Sequence, residues 1–267
     1  LPAKAGEGIS FVLEGQTVCA HHEAVDHTPL CTLLRGDDGL SISTIEHFMA
    51  AAWALGLSNL YVHLSSDELP IMDGSAMPFF KAMLSAGIVE QAAMARTYCV
   101  ERSVTVSEGS AWATLSPAKE FSASIEIDFP VEAIGRQHLS FNGSVSSFEK
   151  DIAQARTFCM SKDVVEMHKS GRALGGSLDN AVVFDTDGIV NPTGMRFKNE
   201  PVRHKMLDAL GDLYLAGGRI LGRYEGNRPG HRLTNLLLRE AFHQGALIQV
   251  RDKARVSDIE SVREMAA

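Results

Sequence analysis

Cysteine is scarce and badly spaced for any cysteine-based architecture: Cys19, Cys31, Cys99 and Cys159 include no C-x-x-C pair. That excludes a disulfide framework and a cysteine zinc site, and points to reduced thiols of a cytosolic enzyme. Basic charge is also in deficit, with 25 Lys and Arg against 33 Asp and Glu, a formal net charge of −8. Binding a phosphate backbone needs a basic face, so nucleic acid is excluded as the main partner, while a small phosphorylated ligand held by a local cluster is not. No run approaches the roughly 18 apolar residues of a membrane helix, and no signal-peptide pattern is present. Internal repeats and low-complexity segments are missing too. What is there is globular in composition, 45% hydrophobic and 22% charged over 267 residues, enough for one large domain or two ordinary ones.

Residues 9–13 (ISFVL) and 60–64 (LYVHL) are apolar and β-rich, and are expected to form strands. Between them Ser43-Thr44-Ile45-Glu46 has the capping-box pattern, predicting a helix from about Ile45 to Leu55 stopped by Gly56. A second helix is expected at 78–86, after the turn at 70–74. The pattern is lost at 90–97, which places a domain boundary at 94/95. Strand alternation resumes at 98–106, 111–115 and 121–128. Residues 147–170 are expected to be helical, 175–180 a loop, and 181–184 a strand. Residues 202–216 form the strongest helical pattern, with Val202, Met206, Leu210 and Leu213 on one stripe, and a last helix is expected at about 232–243. The tail beyond Arg251 is polar and mixed in charge.

Two polar constellations stand on these helices. His204 and Asp208 are four apart and share a helix face, the geometry with which one helix offers two ligands to a metal, and Asp212 continues the column. Alone, that spacing more often marks a solvated, salt-bridged face. Glu46-His47 would put a metal ligand beside a carboxylate able to deprotonate water, although a capping glutamate with an exposed histidine neighbour is the commoner meaning. Neither H-E-x-x-H nor H-x-x-E-H is present. His231 follows a glycine turn, but nothing local ranks it above His27, His63, His138, His168 or His243. His168-Lys169 mimics His204-Lys205 without the aspartate four residues on. The Gly175–Asn180 loop lacks both the Walker lysine and the G-x-G-x-x-G spacing of a phosphate cradle.

The stretches STIEHFMAAAWALGLSN, ELPIMDGSAMPF, ARTF, GGSLDNAVV, VRHKMLDALGDL and a later GH followed by LTN, taken in order, run through most of the chain. Together they resemble one family, the zinc-dependent UDP-3-O-acyl-N-acetylglucosamine deacetylases of lipid A biosynthesis in Gram-negative bacteria. PIMDGSA and RHK-x-LD-x-x-GDL are its most specific segments. The resemblance implies an α+β fold of two similar domains, here 1–94 and 95–267, with two helix layers sandwiched between two β-sheets. It implies zinc held by His47, His204 and Asp208, although two histidines and a carboxylate also suit iron(II). Glu46 would be the general base, with Thr157 and Lys205 beside the developing oxyanion. His231 would be the acid that protonates the departing amine, and Asp212 would orient it. Phe158 would pack on the sugar, while Gly176, Ser177 and Leu178 would line a passage for the fatty acyl chain in the second domain. The expected partner is a UDP-sugar carrying that chain, met by a monomer in the cytoplasm.

One departure accompanies the resemblance. A front segment of the family that includes GLHSG, and that precedes the stretch matching Leu1-Pro2-Ala3, has no counterpart here, so the first sheet is expected to be short of strands. Two other functions compete: another metal-dependent amidase on the same fold, or a non-catalytic sugar-nucleotide or lipid-binding module. Thr157, Phe158 and the GGSL loop favour the first reading over a generic amidase, and a binding module would have no use for Glu46.

Overall fold

The computed structural model describes residues 1–26, 30–164 and 175–250. His27, His168, the end of the helix expected at 147–170 and the tail beyond Val250 lie outside the described residues. Among those described, four α-helices have ten or more residues: α1 (Glu46–Leu55), α2 (Met77–Ala86), α3 (Glu200–Leu213) and α4 (His231–His243). All four coincide closely with the expected spans. Each boundary has a local cause. Gly56 ends α1 in the left-handed conformation at φ 66°, and Pro residues occupy the first turns of α2 and α3, where a missing N–H costs nothing. None of the described helices is long and apolar enough to cross a membrane.

Strand Ile9–Leu13 pairs antiparallel with Gln16–Cys19 and parallel with Leu60–His63, making a three-stranded sheet. A five-stranded sheet runs in the order Arg136–Phe141, Ser122–Asp128, Arg223–Asn227, Ala111–Ser116, Val104–Glu108, antiparallel except where Ser122–Asp128 meets Arg223–Asn227. The first sheet touches α1 through the rings of Phe11 and Phe48, 5.7 Å apart. On the other side α3 packs on Ser122–Asp128 and Arg136–Phe141, α4 packs on Val104–Glu108 and Ala111–Ser116, and α1 packs directly on α3. Sheet, helix, helix, sheet is thus the order of layers, and the fold is α+β. A single apolar core links them, in which the Trp53 ring meets Phe121, Phe141 and Phe148.

Three expectations need correction. The span 98–106 is two strands, Thr97–Val100 and Val104–Glu108, which join different sheets. The continuous helix from residue 147 is not formed. A turn of α-helix at Val145–Ser147 runs into a π-helical turn at Phe148–Ile152, and Phe158–Met160 is a strand paired parallel with Val182–Phe184. Aromatic packing outweighs local propensity there, for the Phe158 ring lies edge-on to Phe129 and Phe184. Finally, Ser43–Glu46 is not a capping box. The helix cap is Ile45, without a side-chain hydrogen bond, and the Thr44 hydroxyl donates to Glu68 Oε1 at 3.0 Å. The Glu46 carboxylate is thereby released from capping.

Candidate metal centre and active site

Helix α3 is buried on two faces. Val202, Met206, Leu210 and Leu213 enter the core as the apolar stripe requires, but His204, Asp208 and Asp212 are buried as well. A buried polar column is costly unless its members have partners, so the solvated-face meaning of the spacing fails here. The partners are supplied by the first turn of α1, where Glu46 and His47 are also buried. The two helices approach closely at this level because residue 211 is glycine: a Cβ there would lie 2.1 Å from the Glu46 carbonyl oxygen.

Asp208 is the centre of the cluster. Its Oδ2 accepts a hydrogen bond from Lys205 Nζ at 2.7 Å. Its Oδ1 is buried without a hydrogen-bond donor and faces two imidazoles, with His204 Nε2 at 3.3 Å and His47 Nε2 at 3.8 Å. Burial depresses both histidines, His47 to about 3, so both are neutral at physiological pH. Because His204 Nδ1–H donates to the Ala155 carbonyl at 3.0 Å, the lone pair of that ring is on Nε2. A carboxylate oxygen therefore faces a nitrogen lone pair across 3.3 Å, and the two repel unless a cation lies between them. One oxygen and two imidazole nitrogens within 4.8 Å of one another form a donor set that fits a divalent transition metal. Burial opposes the ionised Asp208, but the Lys205 ammonium bonded to its Oδ2 and the cationic His231, 3.9 Å from the same oxygen, outweigh it and hold the carboxyl below the usual range.

Glu46 and His231 flank this set. Burial, reinforced by the charges of Asp208 and Asp212 against that of His231, raises Glu46 to about 7. His231 is the first residue of α4, directly after the turn through Pro229 and Gly230, and its side chain is 12% exposed. Burial disfavours its charge, but Asp212, Asp208 and Glu46 overcome that and raise it to about 9. Its Nδ1–H donates to Asp212 Oδ2 at 2.8 Å, which turns Nε2 toward Glu46 Oε1 at 3.8 Å and Asp208 Oδ2 at 3.9 Å. A carboxylate with a pKa near neutrality and a cationic imidazole thus face one another beside a metal-type donor set. That pairing suits base and acid work on one bound molecule.

Most of the expected site residues meet here: Glu46, His47, His204, Lys205, Asp208, Asp212 and His231 form one cluster. Phe158 borders it, its ring perpendicular to that of His204 at 6.4 Å and 5.9 Å beneath Lys205 Nζ. Thr157 is held by its backbone, donating to Gly74 O and accepting from Val182 N–H, and no hydrogen bond joins its hydroxyl to the cluster among the described residues. Gly176, Ser177 and Leu178 are exposed, and Ser177 bonds to Asp179, Asn180 and Ala181 within its own loop. Leu178 instead borders a separate cavity of about 400 Å³ with Arg156, Asp179, Thr193, Gly194, Met195 and Arg196.

Two supports were invisible in the sequence. Thr32, buried in the segment before α1, donates its amide N–H to Glu46 Oε2 at 3.1 Å and its hydroxyl to Asp212 Oδ1 at 2.5 Å. Arg156 and Glu200 form a buried ion pair, with Nε to Oε1 at 3.0 Å, adjacent to the Ala155 carbonyl that fixes His204. Thr32 lies 180 positions from Asp212, and no local pattern announces such a contact.

Comparison with known proteins agrees with this geometry. Residues 1–243 match the family described as UDP-3-O-acyl N-acetylglycosamine deacetylase. Proteins named UDP-3-O-acyl-N-acetylglucosamine deacetylase from Shewanella sp. (strain ANA-3) and Shewanella baltica (strain OS185) are each 43% identical to the chain over 250 residues, covering 91% of it and 82% of the relative. The Shewanella oneidensis protein of the same name is similar to the same extent. The chain belongs to the UDP-3-O-acyl N-acetylglycosamine deacetylase family, whose members are metal-dependent.

Proposed function

We propose that the protein hydrolyses the N-acetyl group of UDP-3-O-acyl-N-acetylglucosamine, releasing acetate and the free amine for lipid A biosynthesis. The single observation that carries the reading is the unpaired Asp208 Oδ1 facing two neutral imidazoles, with Glu46 and His231 on its flanks. His47, His204 and Asp208 would hold the metal, zinc in preference to iron(II). When bound, the metal supplies the Lewis acidity that makes water nucleophilic near neutral pH.

The remaining work falls to the side chains. Ionised Glu46 takes the proton from the water whose oxygen adds to the acetamide carbonyl carbon. The Lys205 ammonium, with the Thr157 hydroxyl once substrate is seated, stabilises charge on the carbonyl oxygen. His231, cationic through its bond to Asp212, delivers the Nε2 proton to the nitrogen as the C–N bond breaks, because an amide nitrogen leaves poorly as an anion. Acetic acid, which loses its remaining proton to solvent as acetate, and a neutral amine result. Phe158, on the border of the site, offers a face for the sugar, and Gly176, Ser177 and Leu178 would guide the acyl chain along the unit built from Phe158–Met160 and Val182–Asp185. The division into domains at 94/95, the monomeric state and the cytoplasmic setting belong to the same proposal.

Incubating the purified protein with UDP-3-O-acyl-N-acetylglucosamine and measuring acetate, with and without a chelator, tests it. Acetate release that a chelator abolishes and added zinc restores supports the proposal. Release unaffected by chelation, or none from the metal-loaded protein, contradicts it.

A further inference from the structure

Beyond the groups that face the substrate, we propose that Thr32 is a positioning residue that fixes the base and the acid of this site relative to one another through a single side chain and its own amide. The inference rests on the deacetylase reading above. Thr32 is 2% exposed and belongs to neither helix of the cluster. Its backbone N–H donates to Glu46 Oε2 at 3.1 Å, which leaves Oε1 as the oxygen facing His231. Its hydroxyl donates to Asp212 Oδ1 at 2.5 Å and lies 3.2 Å from His231 Nδ1.

The distances in this triangle favour one proton arrangement. Asp212 is a carboxylate and accepts at both oxygens, from the Thr32 hydroxyl at Oδ1 and from His231 Nδ1–H at Oδ2, 2.8 Å away. The Thr32 oxygen lone pair is then turned toward the same Nδ1–H and accepts the longer branch of a bifurcated bond. A rotation of the imidazole that withdrew Nε2 from the site would break both branches at once. Without the hydroxyl, Asp212 keeps His231 through one oxygen and loses the donor that sets the carboxylate's own plane. Groups that orient a metal-ligating histidine typically contribute about 10- to 100-fold to affinity or activity, and the same scale is expected for His231. The Thr32 methyl, by contrast, has no part in this geometry.

The test compares Thr32→Val, which keeps shape and loses the hydroxyl, with Thr32→Ser, which keeps the hydroxyl. For Thr32→Val we expect kcat for acetate release to fall about 10- to 100-fold, with KM, metal content and melting temperature close to wild type. Thr32→Ser is expected to retain most of kcat. The second readout is ¹⁵N–¹H NMR of histidine-labelled protein, with the His231 signal assigned by its loss in His231→Gln. The hydrogen-bonded Nδ1–H resonance is expected in wild type and Thr32→Ser, and broadened by exchange in Thr32→Val. An unchanged kcat in Thr32→Val, Thr32→Ser as impaired as Thr32→Val, or an unaltered Nδ1–H signal in Thr32→Val overturns the proposal. Should Thr32→Val not fold, Thr32→Ala against Thr32→Ser makes the same comparison. If wild type releases no acetate, the deacetylase reading fails, while the NMR result still decides whether Thr32 holds His231.

Discussion

Gly211 of α3 lies so close to Glu46 of α1 that a Cβ on it would stand 2.1 Å from the Glu46 carbonyl oxygen and 3.2 Å from the Ala50 amide nitrogen. The obstacle is backbone, which cannot swing aside as a side chain would. The distance between the helix that carries Glu46 and His47 and the helix that carries His204 and Asp208 is therefore set by the absence of a side chain at 211.

Gly211→Ala should push the helices apart. Overpacking of this kind costs about 1–3 kcal/mol, and metal affinity should fall with stability because the donors come from both helices. Denaturant unfolding alongside metal titration measures both. A variant with wild-type stability and affinity would show that the helices adjust freely.

Glu200→Ala removes one partner of the buried pair with Arg156 and leaves an unpaired guanidinium in the interior, where Arg156 is itself buried. Breaking such a pair typically costs about 3–5 kcal/mol. Because the neighbouring Ala155 carbonyl fixes the His204 tautomer, metal affinity is expected to drop about 10- to 100-fold as well. Thermal unfolding of the metal-free protein separates the two effects.

How much of this was legible in the sequence differs from residue to residue. The four helices could be read because their apolar periodicity and end signals are local, within ten to fourteen residues. The chemical meaning of His204–Asp208 could not, since the same spacing serves a solvated face, and only the approach of α1 decides between them. Glu46 shows the opposite error: its position fits a capping box, yet tertiary contact with Thr32 engages the carboxylate instead. Residues 158–160 were misread as helix because a strand of three residues has no periodicity to detect and is held by ring contacts from distant segments. The family resemblance supplied the roles of His231 and Asp212, which no spacing argument could rank. It gave no hint of Thr32 or Gly211.

The opposed shifts of Glu46 and His231 predict a bell-shaped dependence of kcat/KM on pH. Glu46 acts when ionised, so activity rises with pH through its pKa of about 7. His231 acts when protonated, so activity falls as pH passes about 9. A bound cation favours both the carboxylate and the neutral imidazole, so it draws both limbs to lower pH and leaves a plateau between them. His231→Gln should lower kcat/KM and remove the alkaline limb, and an alkaline limb unchanged in that variant would assign it to another group.

Glu46→Gln keeps the shape and hydrogen-bonding reach of the side chain and removes its basicity. Turnover should fall by about 10² or more, the usual share of a general base, with the metal retained. Loss of metal in Glu46→Gln would make Glu46 a ligand instead.

The most direct test of the metal centre is elemental analysis of the purified wild-type protein beside the triple variant His47→Ala, His204→Ala, Asp208→Ala. One zinc per wild-type chain and none in the variant is the predicted result. A variant that still binds one zinc per chain would contradict the assignment of these three residues as the metal ligands.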